Sequence, residues 1–366
     1  MSGLDWHRAV IKVGSALIAP DGAQCSGQYL LPIARYINEC RQKGKEIILV
    51  SSGSVAAGRG LVAHGELPII AEKQAMAAVG QMKMMQNWQR FFDFPCAQIL
   101  VTHDDLADRK RYINIQNTIR TLLDNGILPI VNENDSVATK ELKVGDNDNL
   151  AALVAQVSSS DLLMICSDID GLFTKDPRSN PDAELIPVVD KIDESIYALA
   201  GGTSNKIATG GMRTKIEAAE KATEQGINTM IVNGRDSQVF DLLVAEKAVG
   251  TVFTRQASPQ KARKNWLQHS LKVKGSITVD AGASKALNSA GASLLSIGIT
   301  AIDGRFIKGD AVNVCDAKGN IIAKGISQYN NSELSQIKGL QSKKILETLG
   351  YCPSEEVIHR DDLVVI

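Results

Sequence analysis

The chain has 366 residues, with 40 Lys or Arg against 41 Asp or Glu, a formal net charge of -1 and 44% apolar residues. That length allows about two domains with a real core, and the balanced charge excludes a bulk field for nucleic acid or an anionic membrane. Asp5 and Lys12 interrupt the run "MSGLDWHRAVIKVGSALIAP", so it is not read as a signal peptide, and no stretch approaches the roughly 18 apolar residues of a membrane span.

Short β-branched runs alternate with helical patterns from the start. "AVIKVGSALI" predicts a strand, "GQYLLPIARYINECRQKG" a helix closed by Gly44, and "EIILVSSG" a strand entering a Gly-rich turn. Residues 70–92 follow as a helix, then the strand "AQILVT", the helix "INIQNTIRTLLDNG" and the strand "ILPIVN". "NLAALVAQVSS" predicts a helix, "DLLMICSD" a buried strand, "MRTKIEAAEKATEQG" a helix and "NTMIVNG" a strand. Strands separated by helices imply a three-layer α/β/α fold around a mostly parallel sheet. Ligands of such sheets bind beyond the carboxyl ends of the strands. Five predicted strand ends carry small or polar residues there: Gly14-Ser15, Ser51-Ser52-Gly53, Asn132, Ser167-Asp168 and Asn233-Gly234. They are expected to form one composite site.

Composition changes after about residue 254. "RQASPQKARKNWLQHSLKVKG" carries six Lys or Arg and no acid, and reads as a linker. Short alternating runs follow, with turns at Asp303-Gly304 and Lys318-Gly319 and helical "KALNSAG" and "SKKILETLG" segments. The expected division is 1–258 for the α/β domain, 259–274 for the basic linker and 275–353 for a smaller, mainly β domain.

The stretch "NENDSVATKELKVGDNDNL", residues 132–150, gathers carboxylates and amides between two apolar runs. A calcium loop needs oxygen ligands at positions 1, 3 and 5 and Gly at 6. Counted from Asp146, those last two places hold Leu150 and Ala151, so the motif fails. A solvated loop and a polar small-molecule site stay open on composition. No G-x-x-x-x-G-K-[ST] is present, but "KVGS", "SSGSVAAG" and "TGGMRTK" are Gly-rich turns able to cradle phosphate oxygens. Lys12 lies within an apolar strand, where an ammonium needs an anionic partner. Lys215 lies near the start of a helix, where the macrodipole disfavours a cation unless an anion intervenes. Together they suggest a clamp on a transferring phosphoryl group. None of the five histidines has ligand or catalytic spacing. A carboxylate acceptor, with a pKa of about 4.3, is already ionised and needs no general base.

"IKVGS", "VSSGSVAAG", "VNENDSVAT", "KVGDNDNLAALVA", "SDIDGLFTKDPRSNP" and "ATGGMRTK" stand in an order that resembles the glutamate 5-kinases of the amino-acid kinase family, and the tail resembles a PUA domain. The resemblance covers essentially the whole chain. It implies phosphorylation of the L-glutamate side-chain carboxylate by ATP, with Mg2+ implied by the nucleotide and its ligands unknown. It gives Lys12 and Lys215 the transferring phosphoryl group, with Asp148 orienting both lysines. Ser52, Asp135 and Asn147 would bind glutamate, and Ser167, Asp168 and the run Thr209, Gly210, Gly211, Met212, Arg213, Thr214 and Lys215 would hold ATP. Where the family often has Thr-Asp, this chain has Ser167-Asp168, which keeps the hydroxyl. Proline as a feedback inhibitor and a homo-oligomer are further implications.

Two alternatives stand beside this reading. One is another carboxylate kinase of the same family. The other is RNA binding through the PUA domain, against which residues 275–366 carry nine Lys or Arg and ten Asp or Glu. Six scattered cysteines without C-x-x-C spacing are expected to be reduced thiols in a cytoplasmic protein.

Overall fold

The computed structural model describes residues 4–22, 24–138, 147–200, 211–247, 249–257 and 272–366. The chain divides into two compact units, Met1–Ala107 with Ile115–Pro259, and Asp108–Asn114 with Gln260–Ile366. Most of the expected basic linker lies outside the described residues.

The first unit is built on strands β1 (Arg8–Val13), β2 (Glu46–Ser51), β3 (Cys96–Val101), β4 (Leu128–Glu133), β5 (Leu162–Ser167), β6 (Val188–Val189), β7 (Asn228–Asn233) and β8 (Thr251–Phe253). Their order in the sheet is β3-β4-β2-β1-β5-β7-β8-β6, parallel from β3 to β7 and antiparallel between β7 and β8. Every residue of β4 and β5 is buried, as expected of inner strands covered on both faces. The edge strand β3 is partly exposed along most of its length. All six cysteines are unpaired thiols.

The helices form where apolar residues recur at helical spacing. In Leu30–Gln42 the buried positions Leu30, Ile33, Ala34, Ile37 and Cys40 make one stripe against the sheet, and Gly44 ends the segment at φ 75°. Helix Asn147–Val157 is buried nearly all round, which accounts for its continuous "LAALVA" composition.

One predicted element changes. The run "AVIKVGSALI" is not a single strand: β1 stops at Val13, and Ser15–Ile18 forms a short helix. The Gly14 amide donates to the Cys166 carbonyl at 3.3 Å, and the Leu17 amide closes a turn on the Gly14 carbonyl at 3.0 Å. Leu17 and Ile18 are as buried as β1, so apolar content does not reveal the turn. Strands β6 and β8, of two and three residues, are too short to leave a periodic signal.

The second unit holds β9 (Val273–Val279), β10 (Leu294–Leu295), β11 (Ile299–Gly304), β12 (Ala311–Cys315), β13 (Ile321–Ile326), β14 (Glu356–Ile358) and β15 (Leu363–Val365). Five of them form a sheet in the order β11-β9-β12-β13-β15. Its core includes Ile277, Val279, Val312, Val314 and Tyr329, all fully buried. Because β15 pairs with β13, this sheet uses residues beyond 353.

Candidate active site

A cavity of about 600 Å³ opens at the carboxyl ends of the central strands, lined among others by Gly14, Ser52, Glu133, Asp135, Ser167 and Asp168. Three of the five predicted strand ends, Gly14-Ser15, Ser52-Gly53 and Ser167-Asp168, line it, and the end of β4 contributes Glu133 and Asp135 in place of the fully buried Asn132. The fifth, Asn233-Gly234, does not line the cavity; the Gly234 amide instead donates to the Ser167 carbonyl at 2.7 Å.

One wall is ionic. Lys12 comes from β1, Asp148 from the first turn of helix Asn147–Val157, and Lys215 from the first turn of helix Met212–Glu224. Lys12 Nζ lies 2.6 Å from Asp148 Oδ1, and Lys215 Nζ lies 3.2 Å from Asp148 Oδ2. The Thr214 hydroxyl donates to the same Oδ2 at 2.8 Å. Asp148 is fully buried, while Lys12 and Lys215 are 5% and 6% exposed. Burial alone would raise the Asp148 carboxyl, but Lys12, Lys215 and the Thr214 hydroxyl hold it below the usual carboxylate range. Burial pushes the Lys215 ammonium down, with Asp148 opposing. Two ammonium groups share one carboxylate, so the cluster presents one surplus positive charge to the cavity. A helix N-terminus adds to that field.

A second part of the site is polar and mostly neutral. The Asn147 Nδ2 donates to Ser52 Oγ at 2.9 Å and to Asn132 Oδ1 at 3.0 Å. Asn132 in turn donates to Gln81 Oε1 at 2.9 Å. Ser54 Oγ donates to Asp135 Oδ2 at 2.8 Å. Burial raises the Asp135 carboxyl above its ordinary value, with the Ser54 hydroxyl acting against it. Gly53 makes this corner possible. It sits at φ 94°, and an added Cβ would stand 3.0 Å from Ile18 Cβ; the chain then turns into the short helix Ser54–Gly58.

Lys12, Lys215, Asp148, Ser52, Asp135, Asn147, Ser167 and Asp168 are all brought to this one cavity. Ser167 is buried and its hydroxyl donates to Asp168 Oδ1 at 3.3 Å, while Asp168 is largely exposed at the rim. Thr209 and Gly210 lie outside the described residues. Gly211 begins helix Met212–Glu224, but neither it nor Met212, Arg213 or Thr214 lines the cavity. Arg213 is turned to Glu217, 3.1 Å away. Ser54 and Gln81 join the site without a sequence signal of their own, and Asn132, expected only as a strand end, proves to be a hydrogen-bond link. Asn132 stands in the polar stretch 132–150, but nothing in the local pattern marks Gln81, which reaches the site from a helix 51 positions earlier.

Among the described residues no group of three His, Cys, Asp or Glu side chains could hold a metal ion, and no helix is long and apolar enough to cross a membrane.

Residues 7–233 match the amino acid kinase family and residues 275–349 match the PUA domain. A protein of Idiomarina loihiensis named glutamate 5-kinase is 58% identical over 369 residues, spanning 100% of this chain and 99% of its own length. The glutamate 5-kinase of Salinibacter ruber is 54% identical over 367 residues, spanning 99% of this chain and 98% of its own. Among solved structures, a UMP kinase from Bacillus anthracis superposes with a TM-score of 0.47 at 16% identity, covering 69% of this chain and 98% of that one.

Proposed function

The chain belongs to the glutamate 5-kinases of the amino acid kinase family, and we propose that it transfers the terminal phosphoryl group of ATP to the side-chain carboxylate of L-glutamate, giving L-glutamyl 5-phosphate. The observation that carries this reading is the pairing of the two walls. A cluster with surplus positive charge, Lys12–Asp148–Lys215, lines the same cavity of about 600 Å³ as a set of acceptors suited to an amino-acid ammonium, Asp135 and Asn147.

Each group then has a task. Lys12 and Lys215 meet the phosphoryl oxygens and offset the charge that shifts as the group transfers. Asp148 holds both ammonium groups in place before the substrate arrives, so no reorganisation is needed at the moment of reaction. Asp135 pairs with the substrate ammonium, and Ser52 and Asn147 complete that end. The acceptor carboxylate is ionised at neutral pH and attacks without a general base. Nucleotide approaches along Ser167, Asp168 and the segment leading to Lys215. Among the described residues no group of three His, Cys, Asp or Glu side chains could hold magnesium, and both Asp148 oxygens are already met by the lysines. Proline, with a ring ammonium, suits the same Asp135 end and is the feedback ligand this half-site fits.

The test is ATP-dependent formation of glutamyl hydroxamate in the presence of hydroxylamine. Glutamate should react far faster than aspartate or N-acetylglutamate. Equal rates with N-acetylglutamate would sink the substrate assignment.

A further inference from the structure

Gln81 belongs to helix Ile70–Gln89, directly after Gly80. That helix crosses the short helix Ser54–Gly58 at backbone contact. A Cβ on Gly80 would stand 1.9 Å from the Ser54 carbonyl oxygen, and one on Gly58 would stand 2.0 Å from the Met76 carbonyl oxygen. Glycine at both places lets the helices touch, and the touch carries Gln81 to the end of β4. There its Oε1 accepts from Asn132 Nδ2 at 2.9 Å, with Asn132 fully buried and Gln81 6% exposed.

A side-chain amide has one donating end and one accepting end, so each link in this chain fixes the next. With its nitrogen on Gln81, Asn132 must turn its oxygen to Asn147. Asn147 then spends both protons of its nitrogen, on Asn132 at 3.0 Å and on Ser52 at 2.9 Å. What remains is Asn147 Oδ1, a buried acceptor without a hydrogen-bond partner among the described residues, on a residue that lines the same cavity as Asp135. Turned toward an incoming ammonium, that oxygen would accept from it; a nitrogen in its place would repel it. Gln81 Nε2 is itself buried without a partner among the described residues. A glutamine kept only for packing would not carry that cost, since leucine fills a similar volume without a polar group to bury.

We propose that Gln81 is a positioning residue for the reaction: acting through Asn132, it locks the Asn147 amide with its carbonyl oxygen toward the substrate ammonium, and so selects a free amino acid over an N-acylated one. This rests on the glutamate reading above. Loss of the Gln81 oxygen frees Asn132 to rotate its amide, and the Asn147 amide can then rotate with it, presenting a donor where the ammonium must sit.

The experiment compares the full-length wild type with Gln81→Leu, which removes the acceptor, and Gln81→Glu, which keeps it. Gln81→Met serves if the leucine variant does not fold by circular dichroism. Gln81→Leu should raise the glutamate KM about tenfold, the scale of one hydrogen bond to a charged group. Its kcat and ATP KM should stay within about twofold of wild type, and its preference for glutamate over N-acetylglutamate should fall about tenfold. Gln81→Glu should restore both values. A folded Gln81→Leu protein with unchanged glutamate KM and preference would overturn the proposal while leaving the glutamate reading intact. So would a matched loss of kcat and ATP affinity, or a Gln81→Glu protein as impaired as the leucine variant. A wild type that makes no glutamyl hydroxamate would overturn both.

Discussion

In the ionic part of the site Lys12 and Lys215 each meet Asp148, at 2.6 and 3.2 Å, with all three groups buried from solvent. In the polar part Ser52, Asn147, Asn132 and Gln81 are joined by neutral hydrogen bonds of 2.9 to 3.0 Å, and Asp135, held by Ser54, is the charged group. The ionic wall is costly to assemble, because each charge leaves water, and it depends most on the carboxylate, the one partner both ammonium groups share. The neutral wall is cheaper, and its information lies in which end of each amide points where. Transition-state charge is handled by the first; recognition of the amino-acid end is handled by the second.

Breaking the ionic wall should give the largest effects. Asp148→Asn leaves two buried ammonium groups facing each other without a carboxylate. It should cost about 3–5 kcal/mol of stability, the usual loss when one partner of a buried ion pair is removed. Urea unfolding measures this. A free energy of unfolding close to wild type would show that the lysines reach solvent instead.

Lys12→Ala and Lys215→Ala keep the carboxylate one partner each, so they should fold and fail in the chemistry. Each should lower kcat by about 10² or more, the scale for losing a preorganised electrostatic contact. Glutamate KM should move little, because charge on the phosphoryl oxygens changes only on the way to the transition state. Near-normal turnover in either variant would place the phosphoryl group elsewhere.

Asp135→Asn tests the other wall and should show the reverse pattern. Glutamate KM should rise about tenfold or more, the worth of a charge-assisted hydrogen bond, with ATP KM and kcat close to wild type. A parallel loss of ATP affinity would mean that Asp135 serves the nucleotide and would remove the basis for dividing the cavity into two ends.

The two walls also differ in how far they could be read from the chain. Lys12 and Lys215 stand out because each breaks a local rule, an ammonium inside an apolar strand and a cation at a helix start. Asp148 and Asp135 stand out because residues 132–150 crowd more polar groups than a core can bury. The layered α/β architecture follows from the alternation of β-branched runs and helical stripes, and the position of the site follows from the strand ends. The relay behind Asn147 has no such signature. Gln81 is one polar residue on a long helix, and only the contact of Gly58 with that helix near Gly80 gives it a partner 51 positions away. Local patterns report burial and periodicity; they do not report which distant side chains share a hydrogen bond. The turn at Gly14 was hidden for a related reason, since strand and helix there are equally apolar.

The smallest effect is expected from pH, where Asp135 and Asp148 should part company. Burial raises the Asp135 carboxyl, whereas Lys12 and Lys215 outweigh burial at Asp148 and hold it low. As pH falls, Asp135 therefore takes up its proton first and loses its hold on the substrate ammonium. The acid limb of kcat/KM for glutamate should begin above the ordinary Asp value of about 3.9, at a pH where Asp148 is still ionised. For folding the signs are opposite. Asp148 contributes stability that is present above its unfolded pKa and lost as pH falls through its lower folded value, while Asp135 is relieved by protonation. Asp135→Asn should lower kcat/KM at neutral pH and flatten the acid limb down to the pH at which the substrate's own side-chain carboxyl, near 4.3, begins to protonate. Measuring kcat/KM against pH for wild type and this variant reads the difference. An acid limb that persists unchanged in Asp135→Asn would assign it to the substrate carboxyl or to the ionic wall, and the carboxylate beside Ser54 would then have no part in binding the ammonium.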